Sequence, residues 1–439
     1  ASFFDPDLMF GVDKFDVVIG NPPYVQIQKF ARTQMQKDLE RRNFKTFENT
    51  GDIYLLFYEA GINYVKKDTG LLCFITSNKW MRSSYGKSLR NLFTQLNPLI
   101  LLDLGSNVFE SATVDSNILL IKNSKNFKKT LAVTLKNSKE DFIDEIYKNK
   151  TIIHFKDDNG WFIENDTVTN LKNKIENSGT SLKNLKVLIS KGLMTGCNEA
   201  FYIDKELRAD LIQKDKNSKD LIFKNFRGRE IDKYYTEVNN NQYVIVSSNY
   251  INIEDYPAIK KHLLQFEVKL KSRAQFVRGD HEWFTVDNCP SEENLKKYKN
   301  TKIIYPNMTQ NLCFSIDDSS SFSNDKTFTI VSEHESIKYL CGILNSTTMN
   351  FYLRLSLPKL GNKGYEVRKI FFENTPIVVK TFENKKYVER VEKLVDKIIE
   401  AKKENKDSDT KELEKEIDTL VYELYGLSEE EIKIIEESK

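Results

Sequence analysis

The sequence contains few cysteines, few histidines and no long apolar run. Its 439 residues include four histidines, which show no metal-ligand or catalytic-triad spacing. The five cysteines are widely spaced, without a C-x-x-C pair, at Cys73, Cys197, Cys289, Cys313 and Cys341. This pattern argues against a disulfide framework and a zinc site, and it suits a reducing cytoplasm. No signal peptide or apolar run of membrane-spanning length is found, so we expect no membrane partner.

The sequence also lacks a strong net charge. Lys and Arg number 66 against 64 Asp and Glu, which gives a formal net charge of +2. Net charge alone therefore does not indicate nucleic acid, and such binding needs a locally basic face. The length allows two or three domains with a sizeable core. No obligate protein partner is evident.

The first ~125 residues alternate strand and helix patterns. Residues 15–19 and 71–76 are apolar runs, as expected of parallel strands that are covered on both faces. Further strand patterns lie at residues 99–104 and 118–121. Between the first two runs, helical spacing predicts one core-facing stripe of Ile53, Leu56, Phe57, Ala60 and Tyr64. This α/β pattern predicts part of an open doubly wound sheet.

The rest of the chain changes character twice. Residues 151–185 are polar and predict a connector, and residues 186–375 carry short β-prone runs that predict an α+β domain. Those runs lie at residues 243–246, 302–305 and 328–331. From residue 376 onward, Glu and Lys with helical periodicity predict C-terminal helices, with a stop at Gly426 and a capping box of Ser428 and Glu431.

The most informative stretch is residues 15–28, which read FDVVIGNPPYVQIQ. Ligands of an open parallel sheet bind beyond the carboxyl ends of its strands, where Asn21–Pro22–Pro23–Tyr24 is predicted to lie. Proline fixes φ and lacks an N–H, so the turn is rigid. The Asn21 side-chain oxygen and the Pro22 carbonyl can both accept from one exocyclic amine, and Tyr24 offers a ring on which a base stacks. The alternative is a strand-terminating turn in an arbitrary α/β enzyme.

At these residues the chain resembles the amino-methyltransferases that modify adenine in DNA, with the motif [D/N/S]-P-P-[Y/F/W]. The resemblance implies catalytic roles for Asn21, Pro22, Pro23 and Tyr24, S-adenosylmethionine as methyl donor, and extrusion of the target base from the duplex. Residues 51–93 and 108–121 are similar to later segments of that family. By this match Phe109 packs on the flipped base, the alternative being an ordinary core phenylalanine.

The later sequence resembles the target-recognition region of type IIG restriction-modification enzymes. The segments that carry this resemblance are KGLMTGCNEAFYID, FRGREIDKYY and LNSTTMNFYLRLSLPKLGNKGYEVRK. The predicted fold class is α/β, a partial doubly wound methyltransferase sheet followed by an α+β target-recognition domain and a C-terminal helical segment. The predicted domains are residues 1–150 (the C-terminal part of the catalytic domain), 151–185 (connector), 186–375 (target recognition) and 376–439 (C-terminal helices).

Two departures from these families affect the cofactors. The family's glycine-rich cofactor loop has no match, because no Gly-x-Gly precedes Asn21, so we expect the S-adenosylmethionine site to be incomplete here and completed upstream of Ala1. Asp5 is a candidate contact to the cofactor, with a solvated turn as the alternative. The nuclease-like spacing of Asp255, Glu267 and Lys269 lies on a helical pattern and is dismissed. Magnesium is expected only if an upstream nuclease domain exists.

Three stretches mix positive charge with aromatic side chains, as DNA-binding surfaces do. They are Arg227, Arg229 and Lys233 beside Tyr234; Lys271, Arg273 and Arg278 near Trp283; and Lys359, Lys363 and Arg368 around Tyr365. Clusters of this kind contact phosphates, and Arg can read guanine edges. For each single residue the alternative is a solvated surface position. Double-stranded DNA is the expected partner.

The sequence therefore predicts a site-specific DNA adenine methyltransferase, part of a type II, IIG-like restriction-modification protein. We expect the 439-residue chain alone to be inactive. Two alternatives remain open. One is a DNA-binding specificity module without catalytic activity in this chain, and the other is a related enzyme that acts on RNA or on a protein side-chain amide.

Overall fold

The computed structural model describes residues 5–105, 115–125, 129–135, 142–155, 158, 160–161, 163, 166–237, 241–288, 291–293, 295, 299–359 and 364–438. The chain divides into two compact units, residues 1–171 and 172–439, which are described separately. The finer division at residues 150, 185 and 375 stays a prediction. None of the described helices combines the length and apolar character needed to cross a membrane.

The first unit contains one six-stranded sheet with helices around it. Its strands are β1 (Val17–Gly20), β2 (Leu71–Ser77), β3 (Asn97–Gly105), β4 (Ser116–Lys122), β5 (Thr130–Thr134) and β6 (Thr151–Ile153). Its helices are α1 (Pro6–Phe10), α2 (Gln34–Arg41), α3 (Tyr54–Tyr64), α4 (Lys87–Thr94) and α5 (Phe142–Asn149), and α6 (Asp166–Ser178) crosses the division between the units.

The strand order of this sheet is β1-β2-β4-β3-β5-β6. The pairs β1–β2 and β3–β5 are parallel. Strand β4 lies antiparallel between β2 and β3, and β6 lies antiparallel to β5. The predicted strands at residues 71–76, 99–104 and 118–121 are therefore confirmed, and together they place the carboxyl ends of β1, β2 and β3 at one edge.

An aromatic cluster forms the core of the first unit. Trp80 and Phe93 lie edge to face with ring centroids 5.1 Å apart, and Tyr58 contacts Phe93 at the same centroid distance. All three side chains are completely buried, as is Leu72 of β2. Edge-to-face rings add to the burial energy, so this cluster fixes α3 and α4 against β2.

Two predictions about burial are wrong. In β1, Val17 and Ile19 are 54% and 78% exposed, so this strand is not covered on both faces within the described part of the chain. In α3, Phe57 is 41% exposed, and the helix buries Leu55 and Tyr58 among others. Since α3 is apolar on nearly every side, its spacing pattern does not define a single core-facing stripe.

The second unit contains two sheets and two ribbons. Its strands are β7 (Thr180–Ser181), β8 (Val187–Lys191), β9 (Tyr202–Ile203), β10 (Ile222–Phe226), β11 (Tyr234–Tyr235), β12 (Tyr243–Ile245), β13 (Lys302–Pro306), β14 (Met308–Thr309), β15 (Ser315–Asp317), β16 (Phe322–Ser323), β17 (Thr327–Ser332), β18 (Tyr365–Glu366) and β19 (Pro376–Ile377). The four-stranded sheet has the order β16-β10-β12-β9, the five-stranded sheet has the order β11-β15-β13-β17-β8, and the ribbons are β14-β18 and β19-β7. The three predicted β-prone runs correspond to β12, β13 and β17.

Helices cover these sheets and form the C-terminal segment. They are α7 (Asn198–Phe201), α8 (Lys205–Lys214), α9 (Pro257–Leu264), α10 (Glu267–Lys271), α11 (Ala274–Val277), α12 (Ile337–Asn345), α13 (Thr347–Ser356), α14 (Lys369–Phe372), α15 (Lys385–Glu404), α16 (Lys411–Leu424) and α17 (Glu429–Glu437). As predicted, α16 ends before Gly426, which has φ +61°. Ser428 and Glu431 form the predicted capping box of α17.

Candidate functional site

The Asn21–Pro22–Pro23–Tyr24 turn begins where β1 ends, as predicted. Asn21 and Pro23 are exposed, Pro22 is buried and Tyr24 is half-buried. The backbone after the turn is anchored to residues 51–53, because the amide of Ile53 donates to the carbonyl of Val25 and that of Ile27 donates to Gly51, both at 2.9 Å. The turn is therefore tied down at both ends, with its polar groups at the carboxyl edge of the sheet.

The Tyr24 side chain is held at its ring and at its hydroxyl. The hydroxyl donates to the Ile75 carbonyl of β2 at 3.3 Å, and Tyr54 packs against the ring edge to face at a centroid distance of 6.2 Å. Burial raises the pKa of Tyr24, and a hydrogen bond with Ser116 opposes that rise. The ring is therefore fixed and neutral at ordinary pH, as a stacking platform requires.

A buried hydrogen-bond network lies across β2 and β4 near this turn. Thr76 and the indole Nε1 of Trp80 both donate to Asn117 Oδ1 at 3.1 Å. Because the Thr76 hydroxyl has used its proton, the Tyr58 hydroxyl donates to it, also at 3.1 Å. These groups come from α3, β2, the 3₁₀ turn Asn78–Met81 and β4, and they fix the relative positions of the strand ends.

Asp52 is a second polar feature beside the turn. It is 9% exposed, pairs through its backbone with Gln26, and accepts from the Tyr85 hydroxyl at 3.3 Å. Burial raises the pKa of its carboxyl, against the opposing effects of Lys79, the Tyr85 hydrogen bond and Lys29. The buried network and Asp52 were not predicted from the sequence. The only available signal was the position of an acid just before the apolar helix α3.

Two further residues of the first unit were predicted to belong to the site, Asp5 as a contact to the cofactor and Phe109 as part of the base pocket. Asp5 is the N-cap of α1, and its Oδ1 accepts from the backbone amides of Asp7 at 3.0 Å and Leu8 at 3.2 Å. Phe109, the predicted second aromatic of the base pocket, lies outside the described residues.

Of the predicted DNA-contacting residues that the structure describes in the second unit, two are exposed at one turn and two form ion pairs with glutamates. Arg227 and Arg229 are exposed at a short 3₁₀ turn, Gly228–Glu230. Lys233 forms an ion pair with Glu414 at 3.6 Å, and Arg368 forms one with Glu366 at 2.6 Å. Lys363 lies outside the described residues.

Arg273, which was expected in a basic surface cluster, is a buried structural residue. It is 8% exposed, pairs with Asp287 at 3.0 Å and donates to the carbonyls of Leu270, Thr195 and Trp283. Its guanidinium is therefore unavailable for phosphate contact, and that prediction is wrong. The dismissal of the nuclease-like spacing agrees with the structure, because Glu267 and Lys269 lie on helix α10 rather than on a strand.

Comparison with known families separates the chain into two matched segments. Residues 2–109 match the Eco57I restriction-modification methylase family. Residues 223–377 match the TaqI-like C-terminal specificity domain. The chain combines an Eco57I-type methylase segment with a TaqI-like specificity domain. The methylase segment contains the Asn21–Tyr24 turn, and the specificity domain contains Arg227, Arg229 and Arg368. The predicted resemblance to restriction-modification methyltransferases is confirmed.

Individual relatives cover most of the chain. The type II methyltransferase M.BstVI of Geobacillus stearothermophilus is 23% identical over 463 residues, which cover 97% of this chain and 76% of that protein. The type II restriction enzyme and methyltransferase RM.Eco57I of Escherichia coli is 23% identical over 391 residues, which cover 77% of this chain but only 37% of that protein.

A solved structure shows the same fold. The Type IIL restriction-modification enzyme MmeI, determined in complex with DNA, has a TM-score of 0.68 and 14% sequence identity to this chain. The similarity covers 99% of this chain and 58% of that one. It confirms the predicted fold class, a methyltransferase-like α/β sheet followed by an α+β domain and C-terminal helices.

Proposed function

We propose that this protein methylates the exocyclic amine of adenine at a specific site in double-stranded DNA. In this proposal S-adenosylmethionine is the methyl donor, the target base is flipped out of the duplex, and the chain is part of a type II, IIG-like restriction-modification protein. The observation that carries the proposal is the rigid Asn21–Tyr24 turn at the carboxyl end of β1, within a segment that matches a DNA methylase family. Ligands of open α/β sheets bind at this edge.

The residues of the turn fit the methyl-accepting side of such a reaction. The Asn21 side-chain oxygen and the Pro22 carbonyl accept hydrogen bonds from the adenine amine, which concentrates electron density on its nitrogen. The fixed ring of Tyr24 stacks on the extruded base and offsets part of the cost of unstacking it. Phe109 is proposed as a second stacking ring. No strong general base is needed, because the two acceptors already make the amine nucleophilic.

S-adenosylmethionine, when bound, supplies the electrophilic methyl group. In this chain the proposed contact to it is Asp5, whose Oδ1 already caps α1, so Oδ2 is the atom proposed for the cofactor. A glycine-rich loop, which would let the cofactor approach the backbone, does not occur before Asn21. The residues present therefore fit the target-base side of the cleft better than the cofactor side.

In the second unit, Arg227 and Arg229 are the proposed first contacts to DNA, because neither guanidinium forms an ion pair with a described carboxylate. Lys233 and Arg368 would have to break their ion pairs with Glu414 and Glu366 before they contact a phosphate. Lys363 is proposed from its sequence position alone. The chain spans 37% of one curated relative, so the activity of the whole protein remains part of this proposal.

The second candidate is a specificity module without catalytic activity in this chain, which the missing glycine-rich loop favours. One experiment tests both. The full-length protein is expressed in a host that lacks adenine methylation, and modified adenines in its genomic DNA are located by single-molecule sequencing. N6-methyladenine at one recurring sequence supports the methyltransferase. Unmodified adenine, together with sequence-specific DNA binding by the protein, supports the specificity module.

A further inference from the structure

A cationic cavity in the second unit is lined by Arg227 and Arg229, the two arginines proposed as first contacts to DNA. It has a volume of about 500 Å³ and is lined by Arg227, Gly228, Arg229, Asn307, Thr309 and Lys326, among others. These residues come from three separate segments: the turn after β10, the β13–β14 connection with β14 itself, and the loop before β17. No carboxylate is among its lining residues.

The walls of the cavity are joined by backbone hydrogen bonds. The amide of Asn324 donates to the Phe226 carbonyl at 3.1 Å, and the amide of Asn307 donates to the Lys326 carbonyl at 2.8 Å. Gly228 lies so close to the opposite wall that an added Cβ would be 2.9 Å from the Lys326 carbonyl oxygen. The cavity is therefore preformed and does not need to be assembled by a ligand.

The charge of the cavity comes mainly from two side chains. Lys326 forms an ion pair with Asp325 at 2.8 Å, which offsets its charge. The carboxylate of Glu230 accepts from the backbone amide of Arg227 at 3.2 Å and fixes the turn. Arg227 and Arg229 remain as exposed guanidinium groups, and their planar forks match the oxygen pair of a phosphate.

Arginine contacts either the base edges or the phosphates of DNA. The concave shape of the cavity favours the phosphates. Base edges lie at the bottom of a groove that is about 8.5 Å deep, so a protein reads them with a projecting helix or ribbon. The sugar-phosphate backbone, in contrast, is a ridge that fits into a recess. The ribbon β14-β18 contributes Met308 and Thr309 to the cavity wall and leaves Met308 46% exposed, and a two-stranded ribbon is a form that enters a groove.

We propose that this cavity is a seat for one segment of the DNA backbone, in which Arg227 and Arg229 bind phosphodiester oxygens and orient the specificity domain without reading sequence. The inference rests on the proposed function, because it assumes that this domain binds duplex DNA. It assigns the two arginines a positioning role, and it leaves base recognition to other parts of the domain.

The test uses the 439-residue chain and two duplexes, one carrying its preferred sequence, obtained by selection from random DNA, and one scrambled. Affinities of wild type, Arg227→Ala and Arg229→Ala are measured by fluorescence anisotropy over a range of salt. Arg390→Ala is the matched control, because Arg390 is exposed on α15, pairs with Glu416 and does not line the cavity. Melting temperatures verify that each variant is folded.

We expect both cavity variants to lose the same factor of affinity on the two duplexes. The log–log salt slope should fall by about 0.9 for each lost phosphate contact. A duplex with a neutral methylphosphonate at the contacted phosphate should bind wild type and variant equally. A loss confined to the preferred duplex, or no loss on either, would overturn the inference. If the wild-type chain binds neither duplex, the proposed DNA recognition itself is contradicted, and the inference about the cavity is contradicted with it.

Discussion

At the scale of single residues, the side chain of Tyr24 combines two roles that can be separated. Its hydroxyl donates to Ile75 at 3.3 Å, whereas its ring packs against Tyr54 and is proposed to stack on the target base. The hydroxyl bond positions the ring, and in the proposal only the ring face meets the substrate.

Tyr24→Phe should therefore retain most methyl transfer, whereas Tyr24→Ala should lose it. The phenylalanine keeps the stacking surface and the contact with Tyr54. The alanine loses base stacking worth about 1–3 kcal/mol, which corresponds to a roughly 5- to 150-fold weaker hold on the flipped base. Single-turnover methylation rates of the full-length variants provide the measurement. Equal rates for the alanine variant and wild type would contradict the stacking role.

At the scale of secondary-structure elements, the sequence predicted strands better than it predicted which faces are buried. The apolar runs of β2 and β3 and the capping box of α17 were identified correctly because each signal is local. The antiparallel insertion of β4 between β2 and β3 depends on pairings between distant residues, and no local pattern encodes it. For the same reason, the network around Asn117 was not predicted. Its other members, Thr76, Trp80 and Tyr58, lie 41, 37 and 59 residues from Asn117 in the sequence.

A buried ion pair connects β13 and β15 in the five-stranded sheet. Lys302 and Asp317 are 0% and 2% exposed, with Nζ and Oδ2 2.5 Å apart. Burial alone raises the pKa of Asp317, but the Lys302 ammonium and hydrogen bonds from Ser319 and Ser321 outweigh this effect, so the pKa lies below its usual range. An acid whose pKa is lowered on folding stabilises the fold above its unfolded pKa of about 3.9.

Asp317→Asn should therefore destabilise the protein strongly at neutral pH, by about 3–5 kcal/mol, because it leaves Lys302 buried without a counter-charge. The contribution of the wild-type carboxylate is lost as pH falls through its lowered pKa, so the difference between the two proteins should shrink below about pH 4. Thermal unfolding across pH measures this. The double variant Lys302→Met with Asp317→Leu should recover most of the stability, and a difference that stays constant into acid would contradict the assignment.

At the scale of the whole molecule, the chain combines an Eco57I-type methylase segment with a TaqI-like specificity domain. The matched specificity segment, residues 223–377, contains preformed sheets and a cationic cavity. The matched methylase segment, residues 2–109, contains the turn proposed to hold the target amine, and no Gly-x-Gly sequence precedes Asn21.

The isolated 439-residue chain should accordingly bind S-adenosylmethionine weakly or not at all. Without the loop, few backbone groups are available to the methionine and ribose parts of the cofactor. Calorimetric titration of this chain is the measurement, and heats that fail to saturate are expected. Tight stoichiometric binding would show that other residues of this chain hold the cofactor.

The central claim is that Asn21 holds the target amine, and variants of the full-length protein at this position test it most directly. Transfer of labelled methyl groups to duplex DNA and DNA affinity are measured together for wild type, Asn21→Asp and Asn21→Ala. Because Asp keeps the acceptor oxygen and belongs to the motif's allowed set, that variant should retain methyl transfer. The alanine variant should lose methyl transfer while its DNA affinity stays unchanged. Normal methylation by the alanine variant would contradict the account.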